Sequence, residues 1–423
     1  MLKNLSRMII CAALSTGASP LHAQEADKSL EGEKTDYGIP LKWMPWKDPK
    51  QPNVVVMDPK KYDVWQKRRD TSEDPERNAG PIDVQRYAYG TNSTAFPTYF
   101  NLPMALAPED LKAGNVEVAL FGSTLEAQYL QGAKYAANKM RALTQVSFFP
   151  TGSSTDPFNR VDYFKELNIV DYGNAAATIY YDQRSLEEVA KVIVEIQEGG
   201  AIPVSVGGTH AQMYAWFMAL AKEHGPGNFA MFHIDAHYDA QPPTGGGLVM
   251  HNGSMIRNAI DFGLIKGEDV VQLGLRSPVP SAEDLQWMRD NNIRYHFMAE
   301  VERDGFDAVA QRIFKELKGK KLYISVDMDG LDPADAPAVG TQAIGGIRAP
   351  EAARMLRGLA AQNEVIGAEF GEYNPLLDDA HTTTGVAMDR LMRAMFAGMA
   401  ARKLGLTDPN YLAPEALDHG VKD

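Results

Sequence analysis

The chain has 423 residues, of which 44% are hydrophobic and 23% are charged. This is an ordinary globular composition, with enough apolar material for one large core or two modest ones. The formal net charge of −13 argues against nucleic acid as a partner, because binding phosphates requires a clustered basic surface.

The first residues have the pattern of an export signal. Lys3 and Arg7 provide a positive start, a short apolar stretch follows, and Ala23 fits a cleavage point. We therefore predict a signal peptide over residues 1–23 and a periplasmic or secreted mature protein; a disordered start of a cytosolic protein is the alternative. The single cysteine, Cys11, lies in this segment, so the mature protein would contain no disulfide. No later stretch approaches the roughly 20 apolar residues of a membrane-spanning helix.

Residues 24–110 are rich in proline, charged and aromatic residues, as in KWMPW at 42–46. This segment has little periodicity, which predicts an extended arm that packs on its own domain or on a neighbouring subunit. We place the main domain at 111–405 and a C-terminal tail at 406–423.

From residue 116 onward, short apolar runs alternate with amphipathic stretches. The runs are Val116–Gly122, Ile202–Val206, Phe229–Ile234, Val270–Leu275, Ile293–Phe297, Lys321–Val326 and Val365–Phe370. The helical stretches are Leu186–Gln197, Gln212–Lys222, Phe306–Leu317 and Pro350–Gln362. This alternation predicts an α/β fold, a three-layer α-β-α sandwich with a mainly parallel sheet. Ligand sites in such sheets form at the carboxyl ends of the strands.

Groups that bind metal ions follow three of the predicted strands: GGTH at 207–210, DAHYD at 235–239 and DMDGLDP at 327–333. Because side chains alternate along a strand, we expect residues 235, 237 and 239 to point the same way if the strand remains extended there, and 327 and 329 likewise. Clustered carboxylates would cost several kcal/mol to bury unless cations neutralise them. The predicted metal ligands are His210, Asp235, His237, Asp239, Asp327 and Asp329.

Four carboxylates and two imidazoles suit two ions of the Mn²⁺ type, and Ni²⁺ tolerates the same ligands. A carboxylate that bridges both ions would hold them about 3.5–4 Å apart. Isolated histidines have a simpler interpretation, as polar residues satisfied by their neighbours. We interpret His224, His233 and His296 in that way.

The strings GGTHA, DAHYDA and SVDMDGLDPADAP resemble the three signature segments of the ureohydrolase family, which includes arginase, agmatinase and related guanidino hydrolases. The resemblance covers about residues 100–400 and keeps the order of the segments. It implies an arginase-like fold and a homo-oligomer, a trimer or a hexamer. It also implies that one Mn²⁺ is bound by His210, Asp235, Asp239 and Asp327, and the other by Asp235, His237, Asp327 and Asp329.

Two further site residues follow from the resemblance. His251 is similar to the family histidine that carries a proton near the leaving amine, and Glu372, in GEYNP, is similar to the glutamate that holds the guanidinium. A loop residue and a surface or capping glutamate are the alternatives. A carboxylate can pair with a planar cation through two parallel hydrogen bonds.

The chain departs from the family pattern at its substrate rim. Thr209 stands where an aspartate is usual, which predicts an altered partner for His210. Asn252 separates His251 from the glycine that usually follows it directly, and Asn174 also replaces an aspartate. The loop LQGAKYA at 130–136 lacks the usual arginine. The predicted metal ligands are retained, whereas the substrate rim differs.

The resemblance implies a hydrolase that cleaves a linear C–N amidine bond of a small cationic guanidino compound, agmatine first, and releases urea and an amine. Two cations would acidify a shared water, Glu372 would stabilise the intermediate, and His251 would protonate the amine. A guanidinobutyrase, a guanidine hydrolase or another amidine hydrolase fits the same ligands. Arginase itself fits less well, because the segment at 241–244 differs. An inactive protein that binds metal or a guanidino ligand is the alternative of another class.

Overall fold

The computed structural model describes residues 30, 32–47, 76–85, 96–126, 131–146, 154–177, 183–242, 251–277, 280–418 and 420. The predicted signal peptide and Cys11 lie outside these ranges, so the export prediction is not tested. In the described part of the chain, no helix combines the length and the apolarity needed to cross a bilayer.

A single sheet of parallel strands forms the centre of the described chain. Its strands are β1 (Val118–Gly122), β2 (Ile169–Asn174), β3 (Ile202–Val206), β4 (Ala230–Ile234), β5 (Val270–Leu275), β6 (Arg294–Phe297), β7 (Lys321–Asp327) and β8 (Glu364–Gly371). Their order across the sheet is β2-β1-β3-β8-β7-β4-β5-β6, and each neighbouring pair is parallel. All carboxyl ends therefore lie at one edge of the sheet.

Helices cover both faces of the sheet and complete the predicted α-β-α sandwich. They are α1 (Pro108–Ala113), α2 (Ala136–Val146), α3 (Tyr163–Glu166), α4 (Gln183–Glu198), α5 (Met213–His224), α6 (Met255–Asp261), α7 (Ala282–Asp290), α8 (Met298–Asp304), α9 (Phe306–Leu317), α10 (Ala349–Gln362) and α11 (Thr383–Lys403). Helices α2, α3 and α8–α11 share one apolar core, whereas α1 and α4–α7 share the other. The fold prediction is confirmed.

Strand β2 and the 21-residue helix α11 are among the elements that the sequence patterns did not name. In β2 the apolar run is broken by Asp171, which is fully buried and paired with Arg141 of α2 at 2.6 Å between Oδ2 and Nε. Asn174 ends the same strand and accepts a hydrogen bond from Arg141 at 2.7 Å. Helix α11 has small and apolar residues around most of its circumference, so it lacks the alternation of polar and apolar faces that identifies a surface helix.

The start of the described chain packs on helices α4 and α5. Trp43 and Trp46 are buried there, and the Trp46 indole N–H donates to Glu187 Oε1 at 2.8 Å. The Tyr214 hydroxyl of α5 donates to the backbone oxygen of Trp43 at 3.0 Å. This anchored part of the predicted arm, residues 37–47, therefore belongs to the packed core of the helical layer.

Candidate metal centre

Four neighbouring strands in the middle of the sheet, β3, β8, β7 and β4, bring the predicted site residues to one edge. His210 lies just beyond β3, and Glu372 directly follows β8. Asp327 ends β7, and Asp235 directly follows β4. Residues that are far apart in sequence thus meet because parallel strands end side by side.

The first group of side chains converges on the ring of His210. Its Nδ1 lies 3.1 Å from Asp235 Oδ2, 3.3 Å from Asp239 Oδ2 and 3.2 Å from Asp327 Oδ2. All four side chains are buried. One imidazole nitrogen thus faces three carboxylate oxygens, and both are atom types that bind divalent metal ions.

The second group lies on the other side of Asp235. His237 Nδ1 is 3.3 Å from Asp235 Oδ1 and 3.2 Å from Asp329 Oδ2. Asp235 therefore presents Oδ2 to the first group and Oδ1 to the second, which is the arrangement expected of a carboxylate shared by two ions. Asp327 presents Oδ2 to the first group, while its Oδ1 accepts from the amide of Asp329 at 2.7 Å.

The residues converge through tight turns and not, as expected, through extended strands. Strand β4 ends at Ile234, and Asp239 adopts φ +44°, in the left-handed region. Met328–Gly330 form a 3-10 turn, so Asp329 reaches the site one turn beyond the strand. Gly330 packs so closely on β4 that a Cβ there would lie 2.6 Å from the Ile234 side chain. The side chains meet as predicted, but strand alternation does not explain it, because neither segment remains extended at these residues.

Arg276 supports the turn that carries Asp329. Its guanidinium donates to the backbone oxygens of Asp329 at 2.6 Å, Gly330 at 3.1 Å and Leu331 at 3.0 Å. Thr341 also donates to Asp329 Oδ2 at 2.7 Å. The Arg276 guanidinium thus binds backbone carbonyl oxygens. It forms none of these hydrogen bonds with the carboxylates of the site, which stay available to metal ions. The sequence patterns did not single out either residue.

The charges of the site are poorly balanced by the protein itself. Burial lowers the pKa of the His210 imidazole, but the surrounding carboxylates outweigh that effect and raise the pKa well above its usual value. Burial also lowers the pKa of His237, but Asp235 and Asp329 outweigh burial and raise that pKa to about 12. Burial and the charges of Asp329 and Asp235 raise the pKa of Asp327 well above its usual value. Divalent cations would relieve this repulsion.

The donor set therefore fits divalent metal ions. Carboxylate oxygens and imidazole nitrogens are the ligands that Mn²⁺, Ni²⁺ and related ions share. The atoms of each group lie close enough to contact one ion: those of His210, Asp235 and Asp239 and those of Asp235, His237 and Asp329 are each within 4.8 Å of one another. The described chain therefore has two overlapping groups that could hold a metal ion, with Asp235 common to both.

His233 belongs to this centre, although the sequence analysis interpreted it as an isolated polar residue. Its Nε2 lies 3.0 Å from Asp235 Oδ2, and its ring is buried beside His210. Its Nδ1 lies 3.0 Å from the Gln272 amide nitrogen, which can only donate, so Nδ1 is the acceptor and Nε2 carries the proton. His233 Nε2 thus lies close to the shared carboxylate but makes no hydrogen bond within the described part of the chain. His224 and His296 lie elsewhere, at the end of α5 and in β6.

The far side of the His210 ring faces a buried glutamate. His210 Nε2 lies 2.8 Å from Ser325 Oγ and 3.5 Å from Glu369 Oε1. The hydroxyls of Ser325 and Tyr323 both donate to Glu369 Oε1, at 2.8 and 2.6 Å. Thr209 was expected to be the altered partner of His210, but its neighbours differ: its amide donates to the backbone oxygen of Leu125 at 3.1 Å. Glu369 and Ser325 orient the ring instead.

Glu372 lies beside the first group and is held firmly. Its Oε1 accepts from the His210 amide at 2.7 Å and from the Asn252 side-chain amide at 3.0 Å. The residue is 4% exposed and adopts φ +64°, a left-handed conformation that is strained for a side chain of this size. Burial is the main reason that its pKa rises to about 7. A buried carboxylate in a strained conformation at the end of a strand is well suited to pair with a cation.

His251 lies at the start of the Asn252–Ser254 3-10 turn and is partly buried. Burial lowers the pKa of its imidazole, and the charge of Asp239 opposes that effect. Ring and carboxylate are thus close enough to influence one another. In the described part of the chain, His251 Nε2 is buried without a hydrogen-bond partner. The structure brings this predicted residue to the rim of the centre, and its catalytic role stays a prediction.

Comparisons with known proteins agree with this geometry. A family model described as the Arginase family matches residues 116–397. The human mitochondrial guanidino acid hydrolase is 28% identical over 296 residues, covering 70% of this chain and 81% of the relative. The guanidinopropionase of Pseudomonas aeruginosa is 28% identical over 333 residues, covering 78% of this chain and 99% of the relative.

The fold has similar solved structures. The proclavaminate amidino hydrolase from Streptomyces clavuligerus superimposes with a TM-score of 0.64 and 25% sequence identity. The match covers 74% of this chain and 100% of that chain. The chain is therefore similar to these hydrolases over 81–100% of their length.

Proposed function

Because the chain belongs to the arginase family, we propose that it cleaves a linear guanidino compound to urea and an amine. The relatives described above are hydrolases of amidine C–N bonds. The position of Glu372 carries this proposal. Its carboxylate accepts from the amide of His210, so it borders the first group of metal-capable side chains. A guanidinium paired with Glu372 would be held next to that group.

We propose that two divalent cations bind the centre, Mn²⁺ first and Ni²⁺ as the alternative. The ligands would be His210, Asp235, His237, Asp239, Asp327 and Asp329, with Asp235 and Asp327 shared. When bound, such ions lower the pKa of a water molecule to near neutrality and place positive charge close to the reacting carbon. The distances from His210 and His237 to the shared Asp235 support this assignment.

The protein's own groups would hold the substrate and move a proton. Glu372 is fixed by two donors and would hold the guanidinium in one orientation, so that the reacting carbon faces the centre. His251 would transfer a proton to the departing amine, a role supported by its place at the rim and by its unpartnered buried Nε2 among the described residues. Its partial burial would also limit the access of bulk water.

Agmatine remains the first substrate to test. The names of the two curated relatives extend the choice to guanidino acids, including 3-guanidinopropionate. These compounds share the guanidinium that Glu372 would bind, and they differ at the far end, which the rim contacts. Substrate choice therefore depends on the rim, where the sequence departs from the family pattern.

The direct test is urea release by the protein loaded with Mn²⁺ or Ni²⁺, measured on agmatine, 4-guanidinobutyrate, 3-guanidinopropionate, arginine and free guanidine. We expect turnover of at least one linear compound and loss of that turnover after chelation. Urea release from none of the five, by protein shown to contain metal, would contradict the proposal and favour a binding protein without turnover.

We also propose that the chain is exported through residues 1–23 and forms a homo-oligomer, a trimer or a hexamer. The composition of the first residues supports export. Fractionation of cells that express the full chain, with N-terminal sequencing of the product, tests export, and sedimentation tests the subunit number. Recovery of uncleaved protein from the cytosol alone would contradict export.

A further inference from the structure

Asn252 is a rim residue that contacts the carboxylate proposed to bind the substrate. It begins the 3-10 turn Asn252–Ser254 and reaches Glu372, which is 120 positions further along the chain. Its side-chain nitrogen lies 3.0 Å from Glu372 Oε1. It is also one of the positions where the sequence departs from the family pattern. The chain has therefore placed a neutral amide beside the proposed guanidinium-binding group.

The hydrogen bonds of Glu372 fix the orientation of this amide. Glu372 Oε1 already accepts from the backbone N–H of His210 at 2.7 Å, so this oxygen acts as an acceptor. An acceptor must face the NH₂ group of Asn252, and the carbonyl oxygen Oδ1 must therefore point away from Glu372.

The Asn252 Oδ1 atom is buried and has no hydrogen-bond partner within the described ranges. Leaving a buried carbonyl oxygen unpaired costs free energy, and a bound ligand, a water molecule or an ion can supply the missing partner. The atom lies on the residue that binds Glu372, and it can only accept. Its natural partner is a ligand that supplies N–H groups at the same place.

Guanidinium matches this pair of acceptors. It carries three nitrogens, has N–H groups on every edge and accepts no hydrogen bond. We propose that Asn252 is a specificity-determining residue: Nδ2 positions Glu372, and Oδ1 accepts an N–H from an edge of the guanidinium that Glu372 leaves free. An amidine with only two nitrogens lacks that third N–H edge. The proposal rests on the proposed function, since it assigns the substrate cation to Glu372.

A matched pair of small cations tests this assignment. Guanidinium and acetamidinium are both planar, and a methyl group in acetamidinium replaces one NH₂ of guanidinium. Their binding to the metal-loaded protein is measured by calorimetry, so that no turnover is needed. We expect the wild-type preference for guanidinium over acetamidinium to fall about tenfold in Asn252→Leu, because one hydrogen bond to a charged ligand is lost. An unchanged preference would overturn the proposal.

Kinetics on the best substrate provide the second measurement. Asn252→Leu should raise KM about tenfold and change kcat less than threefold, because the contact acts on the bound cation before and during reaction. A fall in kcat at constant KM would overturn the assignment. Asn252→Ala removes the same polar atoms without added bulk, and it replaces the leucine variant if that variant is poorly folded.

Asn228→Leu is the matched control. Asn228 is exposed in the turn before β4, at the opposite edge of the sheet, where its amide donates to the His224 backbone oxygen. This variant should keep the wild-type preference and KM. If the wild-type protein releases no urea from any compound, the proposed function fails while the calorimetric comparison still decides the role of Asn252.

Discussion

Two charged regions of the molecule are built on opposite principles. At the candidate metal centre, buried carboxylates converge on imidazoles, and the nearby Arg276 is directed at carbonyl oxygens. In the outer network around the edge strand β6, acids and bases alternate: His296 contacts Glu300 at 2.8 Å and Glu316 at 3.1 Å, and Arg312 contacts Asp304 at 2.6 Å.

The comparison separates a charge network that balances itself from one that needs an external cation. In the outer network each acid has a basic neighbour, and several of its side chains are exposed, so its contribution is stability of modest size. In the centre the acids are buried in excess, and the proposed metal ions would neutralise them in the folded state. The predictions below test this difference, beginning with the largest expected effect.

Asp235→Asn should abolish function at the centre. Asp235 presents one oxygen to each group, so the substitution removes a negative ligand from both. We expect turnover to fall more than about 1,000-fold, together with loss of bound metal, since even residues behind the ligands change affinity or activity 10–100-fold. Metal analysis and urea release measure the two effects. Full metal content and activity would rule out the shared-ligand assignment.

Glu372→Gln should separate substrate binding from metal binding. The amide keeps the shape of the side chain but cannot neutralise a guanidinium, so kcat/KM should fall about 100-fold. Metal content should stay at the wild-type level, because Glu372 is not among the proposed ligands. An unchanged kcat/KM would remove Glu372 from the site.

Removal of both metal ions should lower the melting temperature of the protein by roughly 6 °C, because each ion at 100 times its dissociation constant contributes about 2.7 kcal/mol and 1 kcal/mol shifts the melting temperature of a chain of this size by about 1 °C. The measurement is thermal unfolding after chelation and again after Mn²⁺ is restored. Arg312→Ala, in the outer network, should show the same chelation effect as the wild type. A melting temperature that does not respond to chelation would show that the centre, like the outer network, is stable without a bound cation.

His296→Gln should have the smallest effect, and that effect should depend on pH. Burial alone would lower the pKa of His296, but Glu316 and Glu300 outweigh it and raise the pKa above its usual value. The folded state therefore binds the proton more tightly. The resulting stabilisation, roughly 1 kcal/mol, is fully present below about pH 6.5 and is lost as the pH rises through the folded-state pKa.

Denaturant unfolding of wild type and His296→Gln at pH 6 and pH 9 measures this difference, and activity should remain unchanged. A stability gap that widens as the pH rises would show that the sign is wrong. The control is His381→Gln, because His381 is exposed in the loop between β8 and α11.

The sequence allowed the sheet and the proposed ligands to be predicted because both leave local patterns. Apolar runs of four to eight residues predicted every strand of the sheet except β2, whose buried Asp171 is neutralised by Arg141 from another element. The clustering of Asp235, His237 and Asp239 was visible in five consecutive residues. The left-handed turn at Asp239 was not visible, since it depends on packing against the rest of the centre.

The supporting residues left no such signal. His233, Gln272, Glu369 and Arg276 act on the centre through contacts between separate strands, and each looks unremarkable in its own segment. Asn252 was noticed as a departure from the family pattern, but its meaning required the distance to Glu372. Sequence patterns thus reveal the groups that touch a ligand more readily than those that hold them in place.

The hydrogen bond between Trp43 and Tyr214 matters for anyone who wishes to trim the protein for production. Tyr214 lies in the first turn of α5, one helical turn after His210, and its hydroxyl is fixed by the backbone of the amino-terminal segment. A shortened version that starts after residue 47 would remove that acceptor and uncover the aromatic surface beneath Trp46. Poor yield or weak metal retention of such a version would then reflect the missing segment and not the chemistry of the centre.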